Sequence, residues 1–323
     1  MKYLRNLNNH NAYEAFIIGS DFATIQSEQR AVVSYCRAEE HVHYNPYVPV
    51  PPIANLYDIL YSDANGNLSF TSEVLPVSEG KTPIAICVTE AGFFGTNEPA
   101  RWMSLKYMSC ETPDTGSLTT DVNMMWGNNG LDIDTIDNIQ ITHTGGSNWG
   151  YLTSDWIIGT DNKIPSLFDA NNEWNISALG AVNNYGVTDI DGKNKTSKII
   201  ATVTTQPNWQ TDTTITNGQA QHCAPAACCC WRYHTLGTQQ GDWYLAACGE
   251  LSMIVINKPR INNKLAAINT LYPNDCISTL ASAHFLTSTE VSVNQVFRIL
   301  ADDGKIGYRG KYDQSLVFAI MQY

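Results

Sequence analysis

The chain has 323 residues, of which 43% are hydrophobic and only 15% charged, with a net charge of −12. A hydrophobic share this large with so few charges excludes a disordered chain and gives enough length for two domains. The acidic balance, without a basic run anywhere, excludes nucleic acid as a partner, because phosphate binding needs clustered Lys and Arg.

The N-terminal stretch MKYLRNLNNHNAYEAF lacks an uninterrupted apolar core and a small-residue cleavage site, so no secretory signal is expected. No run of about 18 apolar residues occurs, so no membrane insertion is expected. Asn11–Ile18 reads as a short helix with Ala12, Ala15 and Phe16 on one side. Residues 31–44 read as a hairpin, VVSYC and HVHY around Arg37-Ala38-Glu39-Glu40. Together, residues 1–45 form an expected arm. Four prolines in the seven residues 46–52 mark an extended linker, since proline fixes φ and removes a donor.

Residues 53–215 read as a β-rich body. Strands are expected at 55–61, 67–72, 82–88 and 101–108, the first two joined through Asp63-Ala64-Asn65-Gly66. The Asn/Asp/Gly-rich residues 124–194 suggest long loops, with a turn at Asp191-Gly192. Residues 216–323 read as a small α+β domain. Strands are expected at 224–233, 243–245, 285–288, 296–300, 305–309 and 316–321, with Asp303-Gly304 as a hairpin turn. Gly249–Ile256 opens as a helix with an acid in its first turn, and Ile261, Leu265 and Ile268 recur on one face of a second. The fold class expected is mainly β, a β-rich body followed by a small α+β unit.

Several constellations invite chemistry. Asp63–Leu68 hints at a calcium loop but has Leu68 and Val74 where such a loop needs Gly and Glu, so an ordinary turn is expected. Asp132, Asp134 and Asp137 cluster in LDIDTIDN and are read as turn or capping residues. His41 and His43 share a strand face and would need a third ligand to hold a metal. Cys228-Cys229-Cys230, read as strand residues, alternate between faces and so do not converge on one ion. The odd total of nine cysteines favours free thiols. No phosphate-binding Gly-rich loop, G-x-S-x-G or H-E-x-x-H is present, so no enzyme, cofactor or metal is expected. Trp149, Tyr151, Trp156, Trp174, Tyr185 and Trp209 sit in polar sequence. Such aromatics stack on sugar faces, or else form local cores of long loops. Trp149, Tyr151 and Trp174 are the candidate glycan contacts.

From Gly241 the chain reads GDWYLAACGELSMI, then FLTSTE, then ILADDGKIGYRGKYDQSLVFAIMQY. This order resembles the Fibrobacter succinogenes major paralogous domain family, a variant of the C-type-lectin fold. The resemblance covers about the last third of the chain. It rests on Trp243, Leu245, Glu250 and Leu251 in the "W-x-L-P-x-x-x-E-L" box, Thr287, Ser288, Thr289 and Glu290 in the "S-S-T-E" box, and Asp303, Gly304 and Lys311 in the closing hairpin. It implies that Trp243 fills a core and that Glu250 and Glu290 tie loops by accepting backbone hydrogen bonds. Ala246 stands where the family has Pro, Leu286 where it has Trp, and VFAIM where it has V-R-P-V. The triplets with which sugar-binding C-type lectins hold calcium do not occur in the module; Gln206-Pro207-Asn208 precedes it. Formylglycine-generating enzymes share the architecture, but the surroundings of Cys248 and Cys276 do not match theirs, and both are read as reduced core thiols.

The stretches M-K-Y-L and V-S-Y-C … V-H-Y-N-P also resemble the leader of structural proteins of Bacteroides-type, crAss-like phages. That resemblance implies a virion protein assembled in the host cytoplasm, a head fibre or capsid decoration protein displaying the lectin-like domain. The arm, with Tyr3, Tyr35, His41, His43 and Tyr44 as attachment residues, would bind capsid or another virion protein. Self-association as a dimer or trimer and a host-surface glycan are the further partners implied. A tail-fibre adhesin, or a bacterial surface glycan-binding protein, is the alternative.

Overall fold

The computed structural model describes residues 53–95, 97–127, 133, 189–203, 224–302 and 305–323, together with three short strands, 3–5, 14–16 and 149–151. Compact units are residues 1–53 and 54–323, so the division falls directly beyond the proline-rich stretch.

In the first unit, β1 (Tyr3–Arg5) pairs antiparallel with β2 (Glu14–Phe16), Leu4 opposite Ala15. The helix expected over Asn11–Ile18 is therefore not formed at Glu14–Phe16. Two alanines and a phenylalanine at helical spacing are a weak local preference, and pairing with another strand overrides it. The hairpin expected at 31–44 lies outside the described residues.

The second unit contains β3 (Ile59–Asp63), β4 (Leu68–Thr71), β5 (Lys81–Thr89), β6 (Arg101–Tyr107), β7 (Trp149–Tyr151), β8 (Trp243–Leu245), β9 (His284–Ser292), β10 (Gln295–Leu300), β11 (Lys305–Gly310) and β12 (Phe318–Gln322). Its helices are α1 (Gly192–Val203), α2 (Pro225–Arg232), α3 (Cys248–Ile256) and α4 (Lys258–Leu271). The described chain is mainly β, with helix as the minority.

One antiparallel sheet has the order β4-β3-β5-β6-β12-β8, and the other β7-β11-β10-β9. The boundary expected at 215/216 does not separate two domains: β12 lies between β6 and β8, so strands from both sides of it share one sheet. Both faces of that sheet are covered. Along β12, Phe318 and Ile320 enter one core, with α3, α4, β9 and β10; Ala319 and Met321 enter the other, with α1 and α2. Period-two alternation divides the strand between the cores.

Two helices depart from the sequence expectation. Residues 225–232 are helical, not a strand. Small apolar residues such as Ala226, Ala227 and Cys228–Cys230 carry no period that separates the two states, whereas Pro225 at the first turn is a position proline favours in a helix. Residues 192–203 form α1, which buries Lys195, Ile199 and Val203 at i, i+4, i+8. Turn-forming Gly192 and Asn194 concealed that period.

Candidate functional site

The residues that the sequence singles out around Trp243–Leu251 and Thr287–Glu290 meet at a buried seam where the two sheets join. β8 belongs to one sheet and β9 to the other. The Ser288 N–H donates to the Ala246 carbonyl at 2.7 Å, and the Cys248 N–H to the Thr289 hydroxyl at 2.8 Å.

Why those residue types are needed follows from the start of α3. A helix N-terminus leaves its first amides without intrahelical partners, and here they are buried. The Ala247 amide donates to Glu250 Oε2 at 2.9 Å. Ala247 has no side-chain oxygen with which to complete a capping box, and the Cys248 amide finds its acceptor in Thr289 of β9. The Gly249 amide donates to the Asp189 carbonyl at 2.8 Å. Three amides thus find acceptors from the helix, from β9 and from the segment before α1. Trp243 and Leu245 fill the core on the α1–α2 side, and Leu251 fills the other. The indole N–H of Trp243 donates to Thr238 Oγ1 at 3.0 Å.

Three ion pairs are buried around this seam. Glu250 Oε1 accepts from Arg101 Nε at 2.8 Å and from the Tyr244 hydroxyl at 2.8 Å. Arg101 also donates to Glu98 at 2.6 Å and to the Pro99 carbonyl at 2.7 Å. Burial pushes the Glu250 carboxyl up to about 7, against the opposing pull of Arg101 and of the amide and hydroxyl donors. Tyr244 is raised well above its ordinary range, first by burial and then by the neighbouring carboxylate.

In the second pair, Lys195 of α1 binds Asp189, which accepts from Thr289 Oγ1 at 2.6 Å. The third joins Lys311 to Glu290, both fully buried, with the Lys311 ammonium 4.4 Å from the centre of the Trp126 ring. The first two carboxylates each accept a backbone amide as well as side chains: Glu250 that of Ala247, and Asp189 Oδ1 that of Asp191 at 3.2 Å, while the Asp189 carbonyl serves Gly249. Glu290 accepts from the Lys311 ammonium.

Gly192 opens α1 against this cluster. A Cβ there would meet Glu250 Oε2 and lie 2.7 Å from both the Ala247 nitrogen and the Leu245 carbonyl oxygen.

Other singled-out positions fall elsewhere. Trp149 and Tyr151 lie on β7, the edge strand next to β11. Tyr3 lies on β1. Trp174, Gly304, Tyr35, His41, His43 and Tyr44 are outside the described residues, as are Asp132, Asp134 and Asp137. Asp63 closes a turn: its Oδ1 accepts the amides of Asn65 and Asn67 and its Oδ2 the side-chain amide of Asn67, each at 2.8 Å, and the bonds from Asn67, the side-chain one foremost, hold its carboxyl below the ordinary range. Cys248 and Cys276 are buried thiols outside any disulfide among the described residues. Among the described residues, no three His, Cys, Asp or Glu side chains gather to hold a metal ion. No described helix is long and apolar enough to cross a membrane.

Among the described residues, the surface cavities include two of similar size. One, of about 190 Å³, lies among Lys106, Tyr233, His234, Thr235 and Asp275. The other, of about 170 Å³, is bordered by Ser109, Cys110, Glu111, Asp121, Met124 and Pro225.

Reasoning from sequence missed Arg101, Asp189 and Lys195. No local pattern marks an arginine on a strand as the partner of a glutamate 149 positions later. Lys195 was open to detection, being the charged member of an otherwise apolar i, i+4, i+8 stripe. No family model, curated protein or solved structure matches the chain.

Proposed function

We propose that this chain is a structural protein of a phage virion, a head fibre or capsid decoration protein that presents a lectin-like β/α unit to the exterior. The observation that carries the reading is the seam. Trp243, Leu245, Glu250, Leu251, Ser288 and Glu290, six of the residues on which the family resemblance rests, are all buried at or beside one junction. There they fill the core, close a helix end and join two sheets, and this supports the structural role that the resemblance implies for Trp243 and Glu250. The carboxylates of Glu250 and Glu290 and the indole N–H of Trp243 are engaged in holding the fold, so recognition is left to the surface.

On this reading residues 1–45 attach the protein to capsid or another virion protein, and the chain self-associates as a dimer or trimer. Symmetric assembly would multiply weak contacts with a host-surface glycan. The edge-strand position of Trp149 and Tyr151 makes that strand the first place to look for such a contact.

Mass spectrometry and cryo-electron microscopy of density-purified particles test the reading. The expected result is the chain in symmetric density on the head. Absence of the chain from purified particles would end the virion reading. A glycan array with the full chain tests the ligand class separately: binding lost in Trp149→Ala supports a glycan, and silence across host polysaccharides leaves a decoration protein without one.

A further inference from the structure

Two thiols face each other between α2 and the segment that follows β6. Cys229 Sγ donates to Cys110 Sγ at 3.8 Å. Cys229 is buried on the helix, whereas Cys110 is partly exposed and borders the 170 Å³ cavity. This approach is held by a second contact on the same two segments. Arg232, three residues beyond Cys229 and so on the same face of α2, grips Asp114 with two bonds, Nε to Oδ1 at 3.0 Å and a terminal nitrogen to Oδ2 at 3.2 Å. The His234 amide donates to the Asp114 carbonyl at 3.1 Å. The segment is thus docked along the helix through a thiol pair at one end and a forked ion pair at the other.

We propose that Cys110 and Cys229 are a reactive dithiol that is converted to an intramolecular disulfide by small-molecule disulfides. The Cys110 thiolate attacks one sulfur of the small disulfide; the new S–S bond forms as the old one breaks, and one small thiolate leaves. Cys229 then attacks the Cys110 sulfur and expels the second small thiolate, which takes up the Cys229 proton. Two protein thiols are oxidised and one disulfide is reduced to two thiols, so atoms and electrons balance.

The order of events follows from exposure and charge. Cys110 reaches solvent, and the hydrogen bond from Cys229 lowers its pKa against the opposing effect of its burial. Cys229 is raised, by that same bond and by burial, so it waits as the resolving thiol. Closing the bond requires the sulfurs to approach by nearly 2 Å, to the S–S length of about 2.05 Å. Cys110 lies on a bend past the end of β6, where such a movement disturbs no strand pairing. Cys228 and Cys230 are neighbours in sequence, but each is turned about 100° around the helix from Cys229, and Cys230 donates to the Phe318 carbonyl at 3.8 Å.

The test treats the folded full chain with excess oxidised glutathione, then maps peptides without reduction. A Cys110–Cys229 cross-link is expected as the first intramolecular disulfide. In Cys229→Ser a stable glutathione adduct on Cys110 is expected instead. In Cys110→Ser the first thiol is lost, and modification of the helix cysteines should slow by at least about tenfold. The wild-type map needs no variant to fold, and near-ultraviolet circular dichroism checks the two that are used. An unlinked Cys110–Cys229 pair in chain that retains its native spectrum would overturn the proposal. So would first cross-linking of Cys110 to Cys228, or a Cys229→Ser chain that gains no adduct at Cys110.

Discussion

Replacing Arg101 by Met removes the cation from Glu250 and leaves a carboxylate in a fully buried site. Glu250 keeps the Ala247 amide and the Tyr244 hydroxyl as donors, which lessens the loss without supplying a charge. Breaking a buried pair from one side costs about 3–5 kcal/mol. At about 2–4 °C per kcal/mol for a large domain, that is a fall in Tm of roughly 6–20 °C. Glu250→Gln should cost less, because Arg101 retains Glu98 and the Pro99 carbonyl, and the glutamine oxygen still accepts. Adding Glu250→Gln to Arg101→Met should recover at least half of the first loss, since it removes the stranded charge.

The pH dependence has a definite sign. An acid whose folded value lies near 7, above its ordinary 4.5, binds its proton more tightly when folded. Its contribution to stability is therefore complete below about pH 4.5 and declines as the pH rises through 7. At about 1.4 kcal/mol per unit the gap amounts to roughly 3 kcal/mol in wild type. Arg101→Met should widen it, so the variant's deficit should be larger at pH 8 than at pH 5. Denaturant titrations of the four proteins at both pH values measure all of this. Equal losses in the two single variants that add in the double, with no pH dependence, would refute a charge coupling at this seam.

Other outcomes follow from the same contacts. Thr289→Val deprives the Cys248 amide of its acceptor and Asp189 of a donor, and should cost about 1–3 kcal/mol in chemical denaturation, more than the isosteric change alone. Gly192→Ala places a methyl group against Glu250 and the β8–α3 connection, and a fall in Tm exceeding that of Gly80→Ala, where the added carbon meets nothing within 4 Å, is expected by differential scanning fluorimetry. Trp243→Ala opens a cavity in the core beside Tyr233 and should cost about 3–5 kcal/mol. Trp243→Phe should retain most of the packing and lose the bond to Thr238.

Legibility in the sequence depended on whether a signal was local. The Asp63–Gly66 turn, β5, β6 and α4 were readable because alternation, turn chemistry or a 3.6-residue period lies within a few residues. Trp243, Glu250 and Glu290 were readable as a group through a spaced resemblance. The helices α1 and α2 were not. In α1 the period begins only after two turn-forming residues, and in α2 the small side chains give no period at all. The sharing of one sheet by β6, β12 and β8 was also hidden, because strand neighbours distant in sequence leave no local mark. That is why a boundary at 215/216 looked reasonable from composition and why the pairing of β12 with β6 removes it.

Three buried ion pairs at one junction do not make the fold more stable than apolar side chains of the same size would, since desolvation offsets much of their attraction. Their geometry suggests what they do instead. β9 carries Thr287, Ser288, Thr289 and Glu290 in consecutive positions, all buried, so a slip of one residue would turn each of these groups to the opposite face. An apolar strand would tolerate such a slip against an apolar neighbour, but here it would strand Lys311 from Glu290 and separate Thr289 from both Asp189 and the Cys248 amide. Each displaced group would carry the penalty of an unmet buried charge or donor. The polar seam thus fixes the register between two sheets whose strands share few backbone bonds, and it does so at the point where a helix end already required acceptors.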